Sequence, residues 1–116
     1  MTEPGWPRIC SSVAIEEGCA IGVQLNNLDY VLVRKNAVLH VYHNVCPHLG
    51  VKLEWQENQF LDYDGELIQC ATHGALFLIE SGNCIYGPCQ GQSLRSVPCR
   101  EVNGEVLIHE DPSLTQ

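Results

Sequence analysis

The sequence predicts an all-β domain, built as a sandwich or barrel of short strands. Segments rich in Val, Leu, Ile and Tyr recur at short intervals, whereas the 3.6-residue period of an amphipathic helix is weak throughout. The dipeptides Asp64-Gly65 and Asn103-Gly104 lie between such segments and favour the positive φ angles of tight hairpin turns. With 116 residues, of which 45% are hydrophobic, the chain has the size of one domain with a modest core.

Several segments have the composition of strands, and turn residues separate many of them. A turn near Asn36 divides the first two segments, and the two glycine-containing dipeptides each divide a later pair into a hairpin. The predicted strands cover residues 28–35, 37–43, 60–63, 66–69, 76–79, 93–99, 100–102 and 105–109.

The middle of the chain differs in composition from both flanks. From Asn44 to about Cys89 the sequence collects Cys, His, Gly and Pro, whereas the flanks contain ordinary strand residues. We therefore expect a single domain, 1–116, with a site-bearing subdomain at about 44–89. The base scaffold would be formed by about 1–43 and 90–116, since functional loops are usually held by a rigid frame.

The charge balance narrows the possible partners. Fourteen acidic residues against six basic ones give a formal net charge of −8, and the basic residues are scattered. A nucleic-acid surface needs clustered Lys and Arg, so this class of partner is excluded. The sequence has no apolar stretch long enough for a membrane-spanning helix and no signal-like start, so we expect a cytoplasmic protein.

Cysteine is unusually frequent, with seven in this short chain. The odd number and the lack of an export signal make a disulfide framework a poor explanation, and ligation of a metal or cluster becomes the leading one. Outside the two segments described next, the cysteines are expected to be buried, inert thiols. These are Cys10, Cys19, Cys84, Cys89 and Cys99.

Two segments, CPHLG at 46–50 and CATHG at 70–74, each offer a thiolate and an imidazole followed by glycine. Sulfur with nitrogen suits zinc or iron–sulfur chemistry rather than calcium or magnesium, which prefer oxygen. In a two-iron cluster, Cys46 and Cys70 would hold one iron, and His48 and His73 the other. The trailing glycines, without a Cβ, permit positive φ and a close approach of backbone N–H groups to the sulfides.

This pattern, Cys-x-His followed by Cys-x-x-His, resembles the Rieske iron–sulfur proteins. Ser81-Gly82 and Gly87-Pro88 resemble the turn and the proline-containing loop that cover the cluster in that family, and the likeness is strong over residues 44–88. Within the family the chain is most similar to the stand-alone ferredoxins of bacterial ring-hydroxylating dioxygenases. The resemblance implies a β base carrying a small cluster-binding subdomain.

The resemblance also implies a function and a site. It implies a one-electron carrier that passes electrons from a flavin-dependent reductase to a terminal oxygenase or another redox protein, with no catalysis of its own. One [2Fe–2S] cluster would be bound by four ligands, Cys46, His48, Cys70 and His73. The residues around those ligands would be Gly50, Gly74, Ala75, Phe77 and Pro88.

Departures from the respiratory members of the family predict a low reduction potential. Those proteins carry a cysteine in each loop where Val51 and Thr72 stand here, and serine and tyrosine hydroxyls where Ala75 and Phe77 stand. Fewer hydrogen-bond donors stabilise the reduced cluster less. We expect a potential near the low end of the Rieske range, on the order of −150 mV.

Two alternatives remain open at this point. A zinc-stabilised structural or interaction module could use His43, Cys46, Cys70 and His73 as a tetrahedral ligand set. The chain could also correspond to the Rieske part of an oxygenase, although it is too short to add the 2-His-1-carboxylate iron domain of such an enzyme. The other histidines and the aromatic residues between the two segments are expected to serve packing or to lie at the surface. These residues are His40, His109, Trp55, Phe60 and Tyr63.

Overall fold

The computed structural model describes residues 6–47, 53, 59–62, 64–70, 74–87 and 89–109. Over these residues the regular structure consists of nine strands and a single 3-10 helix, Ser12–Ala14. The strands are β1 Arg8–Ser11, β2 Ala20–Leu25, β3 Leu28–Lys35, β4 Val38–His43, β5 Leu67–Gln69, β6 Leu76–Leu78, β7 Cys84–Tyr86, β8 Cys99–Val102 and β9 Glu105–Ile108. The prediction of an all-β fold is confirmed. No helix in the described ranges is long and apolar enough to cross a membrane.

The strands form three antiparallel sheets of three strands each. The base sheet has the order β1-β9-β8, the central sheet β2-β3-β4, and the site sheet β5-β6-β7. The chain therefore begins and ends in the base sheet, and it builds the site sheet from the cysteine- and histidine-rich middle segment.

The tight hairpins follow from residues that accept positive φ. Asn103 (φ 53°) and Gly104 (φ 79°) form the predicted turn between β8 and β9, and both positive angles match the twist of the flanking strands. Between β3 and β4, Asn36 and Ala37 also have positive φ, which is unfavourable for alanine. The Glu17 carboxylate accepts hydrogen bonds from both of their backbone N–H groups, each at 2.7 Å, and so stabilises this turn.

The turn at Asp64-Gly65 differs from the prediction. Only Gly65 has positive φ (71°), so the connection is not a two-residue turn with both central residues left-handed. Asp62 organises it instead: its carbonyl accepts from the Gly65 N–H at 3.0 Å, and its Oδ1 accepts from the N–H groups of Glu66 and Leu67. The hairpin thus depends on a side-chain cap as well as on glycine.

The predicted strand over 93–99 is wrong. Ser93 and Ser96 make only isolated bridges, to Asn83 and Tyr42, and β8 begins at Cys99. This segment packs by single side chains, since Leu94 and Val97 are buried while their neighbours are exposed. The sequence prediction also missed β1, β2 and β7, whose short or mixed composition gave no clear alternation.

The central sheet separates two hydrophobic cores, because strand β3 is buried on both faces. Tyr30 and Leu32 point to one face, and Val31 and Val33 to the other, as the two-residue period of a strand requires. The base core joins the first face to β1 and β9 through Ile9, Ile15, Val106 and Ile108. The site core joins the second face to the site sheet through Leu53, Phe60, Ile68, Ala75 and Phe77.

Two basic residues at the end of β3 connect the central sheet to both of its neighbours. Arg34 donates two hydrogen bonds to the Glu101 carboxylate on β8, at 2.9 and 3.1 Å. Lys35 forms ion pairs with Glu66 at 3.3 Å and Glu80 at 3.1 Å, both beside the site sheet. Strand β3 is therefore the element against which the site sheet is held.

Candidate metal centre

The first Cys/His segment leaves strand β4 through a short backbone turn. The Val45 N–H donates to the His43 carbonyl at 2.9 Å, and the Asn44 N–H donates to the Asp29 carbonyl at 2.8 Å. These bonds turn the chain inward, and Cys46 is only 2% exposed. The predicted ligand His48 and the neighbouring Gly50 lie outside the described residues.

A buried asparagine closes this first segment. The Asn44 Oδ1 accepts a hydrogen bond from the Leu53 N–H at 2.8 Å, which joins two buried positions nine residues apart. An unsatisfied N–H at a buried position costs about 1–3 kcal/mol, so this bond is needed where the loop re-enters the core. Sequence reasoning missed Asn44, since nothing in its local pattern shows which backbone group it meets.

The second Cys/His segment is the connection between β5 and β6. Gln69 pairs with Leu76 at the end of this hairpin, so residues 70–75 form its loop. The Cys70 N–H donates to the Ala75 carbonyl at 2.8 Å, and the Gly74 N–H donates to the Cys70 carbonyl at 2.9 Å. Gly74 has the positive φ (67°) expected of it, whereas His73 lies outside the described residues.

Both cysteines of the two segments are thiols buried in the same core. Cys70 is fully buried and belongs with Cys46 to the site core, together with Ala75 and Phe77. Soft thiolates from two separate loops in one water-excluding pocket fit the sulfur ligands of one iron in a two-iron cluster. Among the described residues no group of three or more His, Cys, Asp or Glu side chains is placed to hold a metal ion, and both predicted histidine ligands lie outside these residues.

The chain between Cys84 and Cys89, which we call the cover loop, meets Ala75 through Gly87. Gly87 has φ 102°, and a Cβ placed on it would lie 2.9 Å from the Ala75 Cα. Only glycine therefore fits where the cover loop meets the backbone of the 70–75 turn. Pro88 is not among the described residues.

Cys84 and Cys89 form a disulfide across the two ends of the cover loop, with their Cα atoms 5.9 Å apart. The prediction that they are inert thiols is wrong. The sequence signal was a pair of cysteines five residues apart, on either side of a Gly-Pro dipeptide, and sequence reasoning did not pair them with each other.

The other three cysteines are not members of the site core, although Cys19 lines a cavity at its border with Phe60 and Leu61. Cys19 is exposed, contrary to the expectation of burial, whereas Cys10 and Cys99 are half-buried. Burial raises the pKa of the Cys10 and Cys99 thiols, which favours their protonated form.

The turn at Ser81-Gly82 is tied to strand β4 by a tyrosine. The Tyr42 hydroxyl donates to the Ile79 carbonyl at 2.6 Å, and a Cβ on Gly82 would lie 2.8 Å from the Tyr42 ring. Burial, with a smaller contribution from the Glu80 charge, raises the pKa of Tyr42 to about 12, so it remains a hydrogen-bond donor. Strand β4, which leads to Cys46, is thereby fixed to the turn between β6 and β7.

His43 faces the base core and not the site core. Its ring lies 5.1 Å from the ring of Tyr30, its partner on β3, while the adjacent Tyr42 points toward the site. Burial, with a smaller contribution from Arg95, lowers the pKa of His43. A zinc site that uses His43 together with Cys46 and Cys70 is therefore disfavoured.

The remaining predicted packing residues are placed as follows. Phe60 is 1% exposed in the site core, as expected, whereas Trp55 and Tyr63 lie outside the described residues. His40 is half-buried on β4, and His109 is exposed and lies against the Trp6 ring at 5.1 Å.

Comparison with known proteins gives two relatives. The ferredoxin component of the alkene monooxygenase system of Xanthobacter autotrophicus is 34% identical over 84 residues, which are 72% of this chain and 64% of that protein. Cholesterol 7-desaturase of Caenorhabditis elegans is 22% identical over 111 residues, which are 90% of this chain and 25% of that protein. The chain thus spans less than two thirds of either relative.

The fold is also that of a solved ferredoxin. The ferredoxin of carbazole 1,9a-dioxygenase from Nocardioides aromaticivorans superposes with a TM-score of 0.74 at 17% identity, over 91% of this chain and 98% of that one. The family model for the Rieske [2Fe-2S] domain matches residues 5–101, a range that includes both Cys/His segments and the cover loop. This chain therefore belongs to the Rieske [2Fe-2S] domain family.

Proposed function

We propose that this protein is a one-electron carrier with a low-potential Rieske [2Fe–2S] cluster on Cys46, His48, Cys70 and His73. The observation that carries the proposal is the burial of Cys46 and Cys70 in one core, Cys46 three residues after β4 and Cys70 directly after β5, each beside its own hydrogen-bonded turn. Membership of the Rieske family supports the two histidines as the remaining ligands.

When bound, the cluster supplies a centre that accepts and releases one electron. The chain's own residues hold it and keep water from its sulfur side: Leu53, Phe60 and Phe77 are each at most 1% exposed in the core around the two thiols. Ala75 and Phe77 offer no hydroxyl to the cluster, which favours a potential on the order of −150 mV. Gly50, Gly74 and Pro88 complete the surroundings of the ligands in this proposal.

The domain is divided, in this proposal, into a base of about 1–43 and 90–116 and a cluster-binding subdomain of about 44–89. The two separate cores on either face of β3 support this division. In this arrangement the cluster would lie on the site-core side of β3.

The partners we propose are a flavin-dependent reductase and a terminal oxygenase or another redox protein, and the protein itself catalyses no reaction. The alkene monooxygenase relative, which is the ferredoxin component of its system, supports this role. Ile85 and Tyr86 on the cover loop are 43% and 62% exposed, and Val45 beside Cys46 is 44% exposed. Exposed apolar side chains next to a buried site are suited to docking, and the net charge of −8 favours a basic partner surface. We place this carrier in the cytoplasm.

Metal analysis and visible absorption of the anaerobically purified protein test the proposal. We expect two irons and two labile sulfides per chain, no stoichiometric zinc, and an absorption spectrum that bleaches on reduction with dithionite. Cys70→Ser and His48→Ala should abolish this spectrum, whereas the matched controls Cys19→Ser and His109→Ala should retain it. Colourless protein that holds one zinc per chain would refute the electron-carrier assignment in favour of a structural zinc module.

A further inference from the structure

The Cys84–Cys89 disulfide supplies none of the four proposed ligands, yet both of its cysteines lie in the same core as the ligand thiols. Cys89 is fully buried and Cys84 is 7% exposed. Three contacts connect this disulfide to the backbone of Cys70.

The contacts form a continuous path from the disulfide to Cys70. The disulfide joins the two ends of the cover loop, and Gly87, between them, lies against the Ala75 backbone. The Ala75 carbonyl in turn accepts the hydrogen bond from the Cys70 N–H at 2.8 Å. The position of the cover loop is therefore coupled to the backbone of a proposed ligand through one residue, Ala75.

The outer part of the cover loop is exposed, and a side-chain hydrogen bond from Gln90 to the Ile85 carbonyl, at 3.1 Å, ties it to the residues that follow. Ile85 and Tyr86 are exposed, and strand β7, to which they belong, is only three residues long and pairs irregularly with β6. A short strand with exposed side chains has a low local stability, so a covalent link between the loop ends restricts its opening strongly.

We propose that the Cys84–Cys89 disulfide is a redox-sensitive brace that holds the cover loop on the 70–75 turn, and that its reduction by a dithiol opens the cluster to water. This inference rests on the proposed function, since it assigns a form of regulation to the same site.

The chemical step is thiol–disulfide exchange. A thiolate of the dithiol attacks the Sγ of Cys84, the more exposed of the two residues, so that the Sγ–Sγ bond breaks and Cys89 leaves as a thiolate. The second thiolate of the reductant then displaces Cys84. Two electrons pass to the protein, both cysteines take up a proton, and the reductant becomes a disulfide.

The proposed cytoplasmic location gives this step a role. Glutathione and thioredoxin systems keep most cytoplasmic thiols reduced, and disulfides that form there are usually transient or redox-sensing. The brace would close under oxidising conditions, when the cluster is most exposed to damage, and open when dithiol reductants are abundant.

The experiment measures the loss of the cluster's visible absorption in the presence of an iron chelator. The holoprotein is compared with and without prior treatment with dithiothreitol, and alkylation with mass spectrometry counts the thiols in each sample. Reduction should reveal two further thiols, in Cys84 and Cys89, and accelerate cluster loss at least about tenfold. The double variant Cys84→Ser/Cys89→Ser should lose its cluster at the fast rate, and dithiothreitol should not accelerate it further.

Cys19→Ser, which removes an exposed thiol outside the cover loop, is the matched control. Its cluster should be lost at the same rates as that of the parent chain, with and without dithiothreitol. Cluster loss that is equally fast with the disulfide intact and reduced would overturn the proposal. So would a chain in which Cys84 and Cys89 remain thiols after incubation with excess oxidised glutathione. If the double variant does not fold, the reduced wild-type chain gives the same answer without a substitution.

Hydrogen–deuterium exchange separates this proposal from the proposed function. The Cys70 amide should exchange at least about tenfold faster after reduction of the disulfide, whether or not a cluster is bound. A chain that never holds iron but shows this difference would refute the electron carrier and retain the brace. A chain with a normal cluster and no difference in exchange would refute the brace and leave the electron carrier standing.

Discussion

Replacing Gly87 with alanine tests how closely the cover loop packs on the second Cys/His segment. The new Cβ would lie 2.9 Å from the Ala75 Cα and 3.1 Å from its Cβ, and backbone atoms cannot yield as a flexible side chain does. The φ of 102° adds a backbone cost of about 1–3 kcal/mol for any residue with a Cβ. Overpacking adds about 1–3 kcal/mol, so we expect a total loss of about 2–6 kcal/mol in the free energy of unfolding.

Gly91→Ala is the matched control for this substitution. Gly91 has a similar φ of 92°, but a Cβ there meets no atom within 4 Å, so it carries the backbone cost without the clash. Urea unfolding of both variants, followed by circular dichroism, should show Gly87→Ala to be less stable by about 1–3 kcal/mol. Equal stabilities would show that the cover loop does not lie on Ala75 as described.

Three further predictions address the site, the core and the charged contacts. Ala75→Ser should raise the reduction potential of the cluster in a mediated redox titration, because a hydroxyl can donate a hydrogen bond to the cluster. The parent chain is expected on the order of −150 mV, and a parent potential well above zero would contradict the low-potential assignment. Tyr42→Phe removes the buried hydrogen bond to Ile79 and should cost about 1–2 kcal/mol in urea unfolding, with the fold retained; an unchanged midpoint would contradict the contact. Glu101→Gln should cost about 0.5 kcal/mol at neutral pH, since the pair with Arg34 is partly exposed. The hydrogen bond from Arg34 lowers the pKa of Glu101 from its usual value of 4.5. The stability that the ionised Glu101 contributes is therefore present above pH 4.5 and is lost as the pH falls through the lowered pKa. The unfolding midpoints of the parent and Glu101→Gln chains, measured from about pH 7 to about pH 3, should converge.

Local sequence patterns predicted the fold class and the turns at Asn36 and at Asn103-Gly104. Positive-φ residues such as Asn103 and Gly104 specify a turn without help from distant contacts. The segment over 93–99 shows the limit of this reasoning, because its apolar residues pack singly and no adjacent segment completes a ladder with it. Strand composition is necessary for a strand, but a hydrogen-bonding neighbour decides whether one forms.

The candidate site was predictable where the chemistry lies in short motifs. Cys46 and Cys70 are recognisable because each is followed by a histidine and a glycine, and the structure buries both in one core. The contacts that support them were not predictable. The bond from Leu53 to Asn44 and the approach of Gly87 to Ala75 each depend on the relative placement of separate loops, which no local pattern encodes.

The most direct test of the account is pulsed electron paramagnetic resonance on the dithionite-reduced protein. If the two Cys/His segments share one pair of irons, the spectrum has a low average g value and couplings to two imidazole nitrogens. His48→Ala should remove the signal, and His43→Ala should leave it unchanged. A reduced cluster without any histidine nitrogen coupling would contradict the ligand assignment on which the proposed function depends.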